Sequence, residues 1–82
     1  MKPSPYTPIS CDFYDELEAL VIRRRNTTIV YQEPGQPVQT IEGRIADLQT
    51  ENKVEFMILD DGQRIRLDWL HRVDGKVVPK VC

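Results

Sequence analysis

KVEFMILDDGQRIRL, residues 53–67, carries the pattern on which the predicted fold rests. Residues 53–59 alternate with the two-residue period of a strand, which assigns the even-numbered side chains to a buried face and the odd-numbered ones to a more exposed face. The two aspartates and the glycine at 60–62 are typical of a tight turn, and residues 64–67 alternate again. The stretch therefore predicts two antiparallel strands joined as a hairpin.

Further strands are predicted on both sides of this hairpin. Residues 27–31 are rich in β-branched side chains, and a Pro-Gly turn separates them from a long strand over residues 38–48. Gly43 interrupts that strand, which suggests a bulge or a sharp bend. An Asp-Gly turn precedes residues 76–81, which form either a fifth strand or an ordered tail.

Residues 12–24 have the period of a helix. Apolar positions recur at the spacing i, i+4, i+7 and i+8, and the aliphatic stem of an arginine continues the stripe: Phe13, Leu17, Leu20, Val21 and Arg24. Ser10 or Asp12 can cap the start of this helix. Acids near its first turn and arginines near its last turn both suit the helix dipole.

The predicted organisation is an arm followed by one domain. Residues 1–10 form an extended arm because three prolines fix its backbone, and Tyr6 and Ile9 can pin it to the body. Residues 11–82 hold the helix and four or five short strands with tight turns. Such strands imply a small, strongly bent antiparallel β-barrel, whose closure hides sheet edges and whose open end the helix covers. The fold class is therefore mainly β with one N-terminal helix.

Length, charge and composition exclude several classes of protein. A chain of 82 residues has room for one domain with a modest core, and a net charge of −2 argues against wrapping nucleic acid unaided. No apolar run approaches the ~20 residues that span a membrane, and the start lacks the apolar core of a signal peptide. We expect a cytoplasmic protein with reduced cysteines, in preference to a pairing of Cys11 with Cys82.

The sequence contains no recognisable catalytic motif. It has no glycine-rich phosphate loop, no GxSxG turn and no HExxH pair. The single histidine, His71, is interpreted as structural, and Cys11 as a small buried apolar residue that seats the arm, in preference to a nucleophile at a helix start. We therefore expect a non-enzymatic protein with no cofactor and no metal.

The acids of the helix have two interpretations. At about 100° per residue, Asp12, Asp15 and Glu16 point away from the apolar stripe, and Glu18 lies on a shoulder beside Tyr14. Acids at this end of a helix are explained by capping and by the dipole. On the residues alone we favour that explanation; the alternative is that the acids recognise a basic groove, with the tyrosine as an amphipathic anchor. The arginines at 23–25 either contact RNA or, as we favour, compensate the dipole at the other helix end.

The segment YTPISCDFYDELE, residues 6–18, resembles the opening signature of the Rho-binding antiterminator (Rof) family, Y-x-P-I-x-C-x-x-Y-D-x-L-E. The fixed positions are matched by Tyr6, Pro8, Ile9, Cys11, Tyr14, Asp15, Leu17 and Glu18. The Arg-x-Arg-Leu-Asp segment at residues 64–68 and the valine-rich end are similar in plan, so the resemblance extends along nearly the whole chain.

This resemblance implies an Sm-like barrel with an N-terminal helix and a bacterial cytoplasmic protein. Apart from the resemblance, a sheet edge capped by the proline arm or by the C-terminal residues would keep the protein monomeric. It implies binding to the N-terminal RNA-binding domain of the transcription termination factor Rho, where the protein blocks the primary RNA site and lowers termination. Asp15 and Glu18 inherit the contact with Rho by position, with Asp12 and Glu16 as neighbours and Tyr14 among them. Phe13 stands where some relatives carry an acid, which lowers the charge of this chain there.

Two alternatives remain open at this point. An Sm-like RNA-binding protein would fit the barrel and the arginines, although a sequence pI of about 5.3 argues against it. A regulatory module for another basic protein would fit the acidic helix equally well. The resemblance favours Rho, with no direct binding of nucleic acid.

Overall fold

The computed structural model describes residues 8–80 as one helix followed by a six-stranded antiparallel sheet. In chain order the elements are α1 (Cys11–Arg23), β1 (Asn26–Tyr31), β2 (Gln39–Glu51), β3 (Val54–Leu59), β4 (Arg64–Arg66), a 3-10 turn (Leu67–Trp69), β5 (Leu70–Val73) and β6 (Lys76–Val77). The mainly-β class with one N-terminal helix is confirmed, with six strands in place of the four or five expected.

Helix α1 is capped at both ends by backbone geometry and one side chain. The hydroxyl of Ser10 accepts from the backbone N–H of Phe13 at 3.4 Å, so Ser10 and not Asp12 is the N-cap. Arg24 ends the helix in the left-handed region, with φ of 54°, and its N–H donates to the carbonyl of Leu20 at 3.1 Å. This conformation turns the chain out of the helix, and Arg24 is exposed. The prediction that its stem continues the apolar stripe is therefore wrong.

The sheet is strongly bent although its strand order, β4-β3-β2-β1-β5-β6, stays open. In a flat sheet four inter-strand spacings, roughly 19 Å, would separate β4 from β5. Only the three residues Leu67–Trp69 connect them, and the four peptide units from Arg66 to Leu70 span at most about 14 Å. The side-chain amide of Gln63 also donates to the hydroxyl of Tyr31 at 3.1 Å, which joins the β3–β4 turn to the end of β1. The bend is therefore as expected, while the described strands are not hydrogen-bonded into a closed barrel.

Strand β2 carries the bend. It pairs with β1 over residues 39–44 and with β3 from Ile45 onward, and the register shifts between Ile45 and Asp47. Ala46 is therefore the extra residue of a bulge. The sequence suggested the bulge or bend at Gly43, three positions earlier. Asn52 and Lys53, with φ of 52° and 64°, form the two-residue turn into β3.

The two faces of β3 are the reverse of the sequence assignment. Met57 and Leu59 are buried, whereas Val54, Phe56 and Ile58 are half-buried on the outer face. The guanidinium of Arg64 covers the ring of Phe56 at 4.2 Å from its centroid. Since apolar side chains occupy both faces, alternation alone could not determine which face is inside.

The core lies between the apolar stripe of α1 and the inner face of the sheet. Its fully buried side chains come from the helix, all of the first five strands and the 3-10 turn: Leu17, Ile29, Ile45, Met57, Ile65, Leu67, Leu70 and Val73. Ile9 is also buried, and the N–H of Ser10 donates to the carbonyl of Pro79 at 2.9 Å, so the end of the arm is pinned as expected. Tyr6, the other expected anchor, lies outside the described residues.

Candidate functional site

The structure places the acids of α1 at the protein surface. Asp12, Asp15, Glu16 and Glu18 are all exposed, and Tyr14 is half-buried. Phe13, in contrast, is buried in the core and does not reach the surface. The acids are therefore available to a partner, while capping is provided by the neighbouring serine.

Glu16 lies apart from the other acids. It is two residues from Tyr14, which is about 200° around the helix axis. The ammonium of Lys76 donates to Oε1 of Glu16 at 3.1 Å, in a cleft between α1 and the β5–β6 turn. The positive charge of Lys76 therefore offsets part of the negative charge of Glu16. Glu16 lies on the opposite side of the helix, and the structure does not bring it together with Glu18.

Tyr14 is the centre of a second group of acids that the sequence did not indicate. Burial raises the pKa of its phenol, and the negative charges of Glu55, Glu18 and Asp47 raise that pKa further. Asp47 is on β2 and Glu55 is on β3. Three different elements therefore direct negative charge to one tyrosine.

Two grooves lie on either side of Tyr14. The hairpin groove, about 480 Å³, is lined by the end of the arm, the helix start and the tip of the β2–β3 hairpin: Pro8, Ile9, Cys11, Tyr14, Asp15, Thr50, Lys53 and Glu55. The Glu18 groove, about 190 Å³, lies toward the helix end and is lined by Tyr14, Glu18, Val21, Ile22, Asp47 and Leu48. Tyr14 lines both grooves.

The carboxylate of Asp47 is held in a defined orientation. Its Oδ1 accepts from the backbone N–H of Leu48 at 2.9 Å, and its Oδ2 accepts from the side-chain amide of Gln49 at 3.2 Å. Asp47 directly follows the bulge of β2, and bulges redirect neighbouring side chains. No sequence pattern identifies this acid as a partner of the helix, because the contact depends on which part of the bent sheet the helix covers.

Cys11 differs from its sequence interpretation. It is the first residue of α1, it is exposed, and it is disulfide-bonded, so it is neither a buried apolar residue nor a reduced thiol. Cys82, the other cysteine of the sequence, lies outside the described residues. His71 is exposed on β5, and its backbone carbonyl accepts from the N–H of Val78 at 3.0 Å.

Two arginines of the outer sheet face lie over aromatic rings, an arrangement that some RNA-binding surfaces use. Arg64 covers Phe56, and Arg66 lies 5.7 Å from the centroid of Trp69. Both guanidinium groups are ion-paired: Arg64 with Glu51 at 3.1 Å, and Arg66 with Asp68 at 2.7 Å. Phosphate binding needs an excess of positive charge, so these pairs do not resemble an RNA-binding platform.

Neither a metal site nor a membrane span was found in the described part of the chain. Within residues 8–80, no group of three or more His, Cys, Asp or Glu side chains is arranged to hold a metal ion. In the same range, no helix combines the length and the apolar character that crossing a membrane requires.

Comparison of the chain with protein-family models, with curated proteins and with solved structures gives no match. The basis for a functional proposal is therefore the signature in residues 6–18 and the acidic surface around Tyr14.

Proposed function

We propose that the chain is a cytoplasmic, non-enzymatic monomer that binds the N-terminal RNA-binding domain of the termination factor Rho. By occupying the primary RNA site of that domain, it lowers Rho-dependent termination. The observation that carries this proposal is the half-buried Tyr14 among carboxylates from a helix and two strands. The resemblance of residues 6–18 to the Rof signature supports Rho as the partner, and the acidic surface is the part of the molecule that suits it.

The charge of this surface is what competition with RNA requires. A basic site that binds phosphates also attracts carboxylates held rigidly at a protein surface, and opposite charge speeds the encounter. Asp15 and Glu18 would make the central contacts, with Tyr14 as the amphipathic anchor between them. Asp12 would add long-range attraction, and Glu16 would add less because Lys76 already pairs with it.

Charge reversal of the two central acids tests the proposal. Calorimetry at low salt would compare the natural protein with the double variant Asp15→Lys and Glu18→Lys, using the isolated N-terminal domain of Rho. We expect binding to weaken by at least about tenfold, since close charge pairs across an interface couple by ~1.5 kcal/mol or more. Absence of binding by the natural protein, or equal binding by the reversed variant, contradicts the proposal.

A matched control variant carries the same net charge as the Asp15→Lys and Glu18→Lys variant. Glu33 and Glu42 are exposed and line neither groove beside Tyr14. Reversing both, Glu33→Lys and Glu42→Lys, changes the total charge by the same amount at a different place. This control should retain most of the affinity if the contact is local, and should lose it equally if only the total charge matters.

The same protein preparation distinguishes the proposed function from the RNA-binding alternative. Labelled single-stranded RNA is titrated with the protein in the absence of Rho. Appreciable affinity would favour an RNA-binding module, whereas the proposed function predicts no binding.

A further inference from the structure

The Glu18 groove has an unusual combination of linings. Val21 and Leu48 are half-buried and provide an apolar floor, and Tyr14 also lines the groove. Ile22 borders the groove and is 79% exposed. A single exposed isoleucine needs no explanation alone, but here it extends an apolar surface that is otherwise recessed.

Two carboxylates flank this apolar floor. Glu18 comes from the helix and Asp47 from β2, so two different elements supply carboxylates to the groove. Each oxygen of Asp47 accepts one hydrogen bond within the protein, and a carboxylate oxygen has two acceptor sites. The groove therefore retains acceptor capacity on a carboxylate whose orientation is already fixed.

We propose that the Glu18 groove receives one arginine side chain of the partner protein. The aliphatic stem would pack on Val21 and Leu48, and the guanidinium would lie between Glu18 and Asp47 beside the ring of Tyr14. This inference rests on the proposed function, and it deepens it by naming the groove, the sheet residue and the side chain involved.

Arginine fits better than other side chains for three reasons. A purely apolar side chain would fill the floor but leave two carboxylates partly desolvated, which is costly. An acidic side chain would be repelled. A guanidinium has five donors in a planar fork that suits carboxylates and also stacks on aromatic rings.

The first test uses a small probe and does not involve Rho. The 82-residue chain, labelled with ¹⁵N, is titrated with N-acetyl-arginine amide, and in parallel with N-acetyl-citrulline amide, whose side chain has nearly the same shape without charge. We expect amide shifts concentrated at Tyr14, Glu18, Ile22 and residues 47–48 for arginine, and at least severalfold smaller shifts for citrulline. Equal shifts with citrulline, or no shifts at the groove, overturn the inference.

The second test uses the Rho domain and neutral variants. The double variant Glu18→Gln and Asp47→Asn is compared with Glu33→Gln and Glu42→Gln, which removes two charges outside both grooves. We expect the groove variant to lose at least about tenfold in affinity, as expected for close charge pairs, and the control to lose less than about twofold. Both acids of the groove are exposed, and glutamine and asparagine each keep one acceptor oxygen, so we expect both variants to fold.

The two tests separate this inference from the proposed function. If the natural protein binds Rho and the groove variant binds equally well, the groove inference fails and the proposed function survives. If the natural protein does not bind Rho, the proposed function fails, and the arginine titration still decides whether the groove takes a guanidinium.

Discussion

Lys76 holds Glu16 in an ion pair of 3.1 Å, and this contact divides the acids of α1 into two groups. Glu16 faces the β5–β6 turn, whereas Glu18 shares a groove with Tyr14 and Asp47. Exposed acids of one short helix are therefore not equivalent, and their different surroundings lead to separate predictions.

Neutralising Glu16 should affect partner binding much less than neutralising Glu18. Glu16→Gln removes a charge that Lys76 already balances on the far side of the helix, and an exposed pair contributes only ~0–1 kcal/mol to stability. We expect less than about a twofold change in affinity for the Rho domain, against severalfold for Glu18→Gln. Calorimetry of the two single variants checks this, and equal losses would count against a local contact.

The pKa of Tyr14 should lie above the ordinary value near 10. Burial and the charges of Glu55, Glu18 and Asp47 all oppose ionisation of the phenol. Glu55→Gln should therefore lower this pKa, measured from the ring carbon shift by NMR, while Glu33→Gln leaves it unchanged. No difference between the two variants would show that the carboxylate of Glu55 does not act on the phenol.

The same shift predicts a dependence of stability on alkaline pH. The pKa of Tyr14 is higher in the folded state than in the unfolded state. The stabilisation that the protonated phenol gives to the folded state is therefore fully present below the unfolded pKa near 10, and it is lost as the pH rises through the folded pKa. Tyr14→Phe should therefore lose less stability than the natural protein between about pH 10 and pH 12. Urea unfolding across this range measures the effect, and parallel curves would contradict it.

Leu17 and Ile22 should separate stability from binding. Leu17 is fully buried, so Leu17→Ala should lower the free energy of unfolding by about 2–5 kcal/mol. Ile22 is largely exposed, so Ile22→Ala should change stability by less than ~0.5 kcal/mol, and it should weaken the proposed contact with Rho. Chemical denaturation and calorimetry together test this, and a large loss of stability in Ile22→Ala would place that side chain in the core.

Ser10 should matter to the helix more than Asp12. Ser10→Ala removes the hydroxyl that accepts from Phe13, and the loss of such a cap costs about 0.5–2 kcal/mol. The contact is long, at 3.4 Å, so the lower half of that range is expected. Asp12→Asn should lower stability less, because it weakens only the interaction of the carboxylate with the helix dipole. That interaction contributes about 0.3–1 kcal/mol. Thermal unfolding of both variants measures the difference.

The sequence was sufficient for the elements whose pattern is local. The apolar stripe of α1, the turn after β3 and the hairpin of residues 53–67 each depend on neighbours within a few positions, and all are present. Strand β5 was missed because its buried residues, Leu70 and Val73, are three positions apart and break the two-residue period. A register shift against β1 between Val30 and Tyr31 accounts for this irregularity.

The candidate site was predictable only in part. The exposure of Asp15 and Glu18 follows from the helical period, and the structure agrees. Asp47 and Glu55 could not be anticipated, because their approach to Tyr14 depends on the bulge at Ala46 and on where the helix crosses the sheet. Long-range packing of this kind leaves no periodic trace in one sequence.

A Rho-dependent termination assay decides whether the chain acts as an antiterminator. Transcription in vitro from a template with a Rho-dependent terminator is measured with the natural protein, with the Asp15→Lys and Glu18→Lys variant, and with the Glu33→Lys and Glu42→Lys control. We predict that readthrough rises with the natural protein and the control, and that it stays at the level of Rho alone with the reversed variant. Unchanged termination in the presence of the natural protein, or equal readthrough with the reversed variant, would contradict the account.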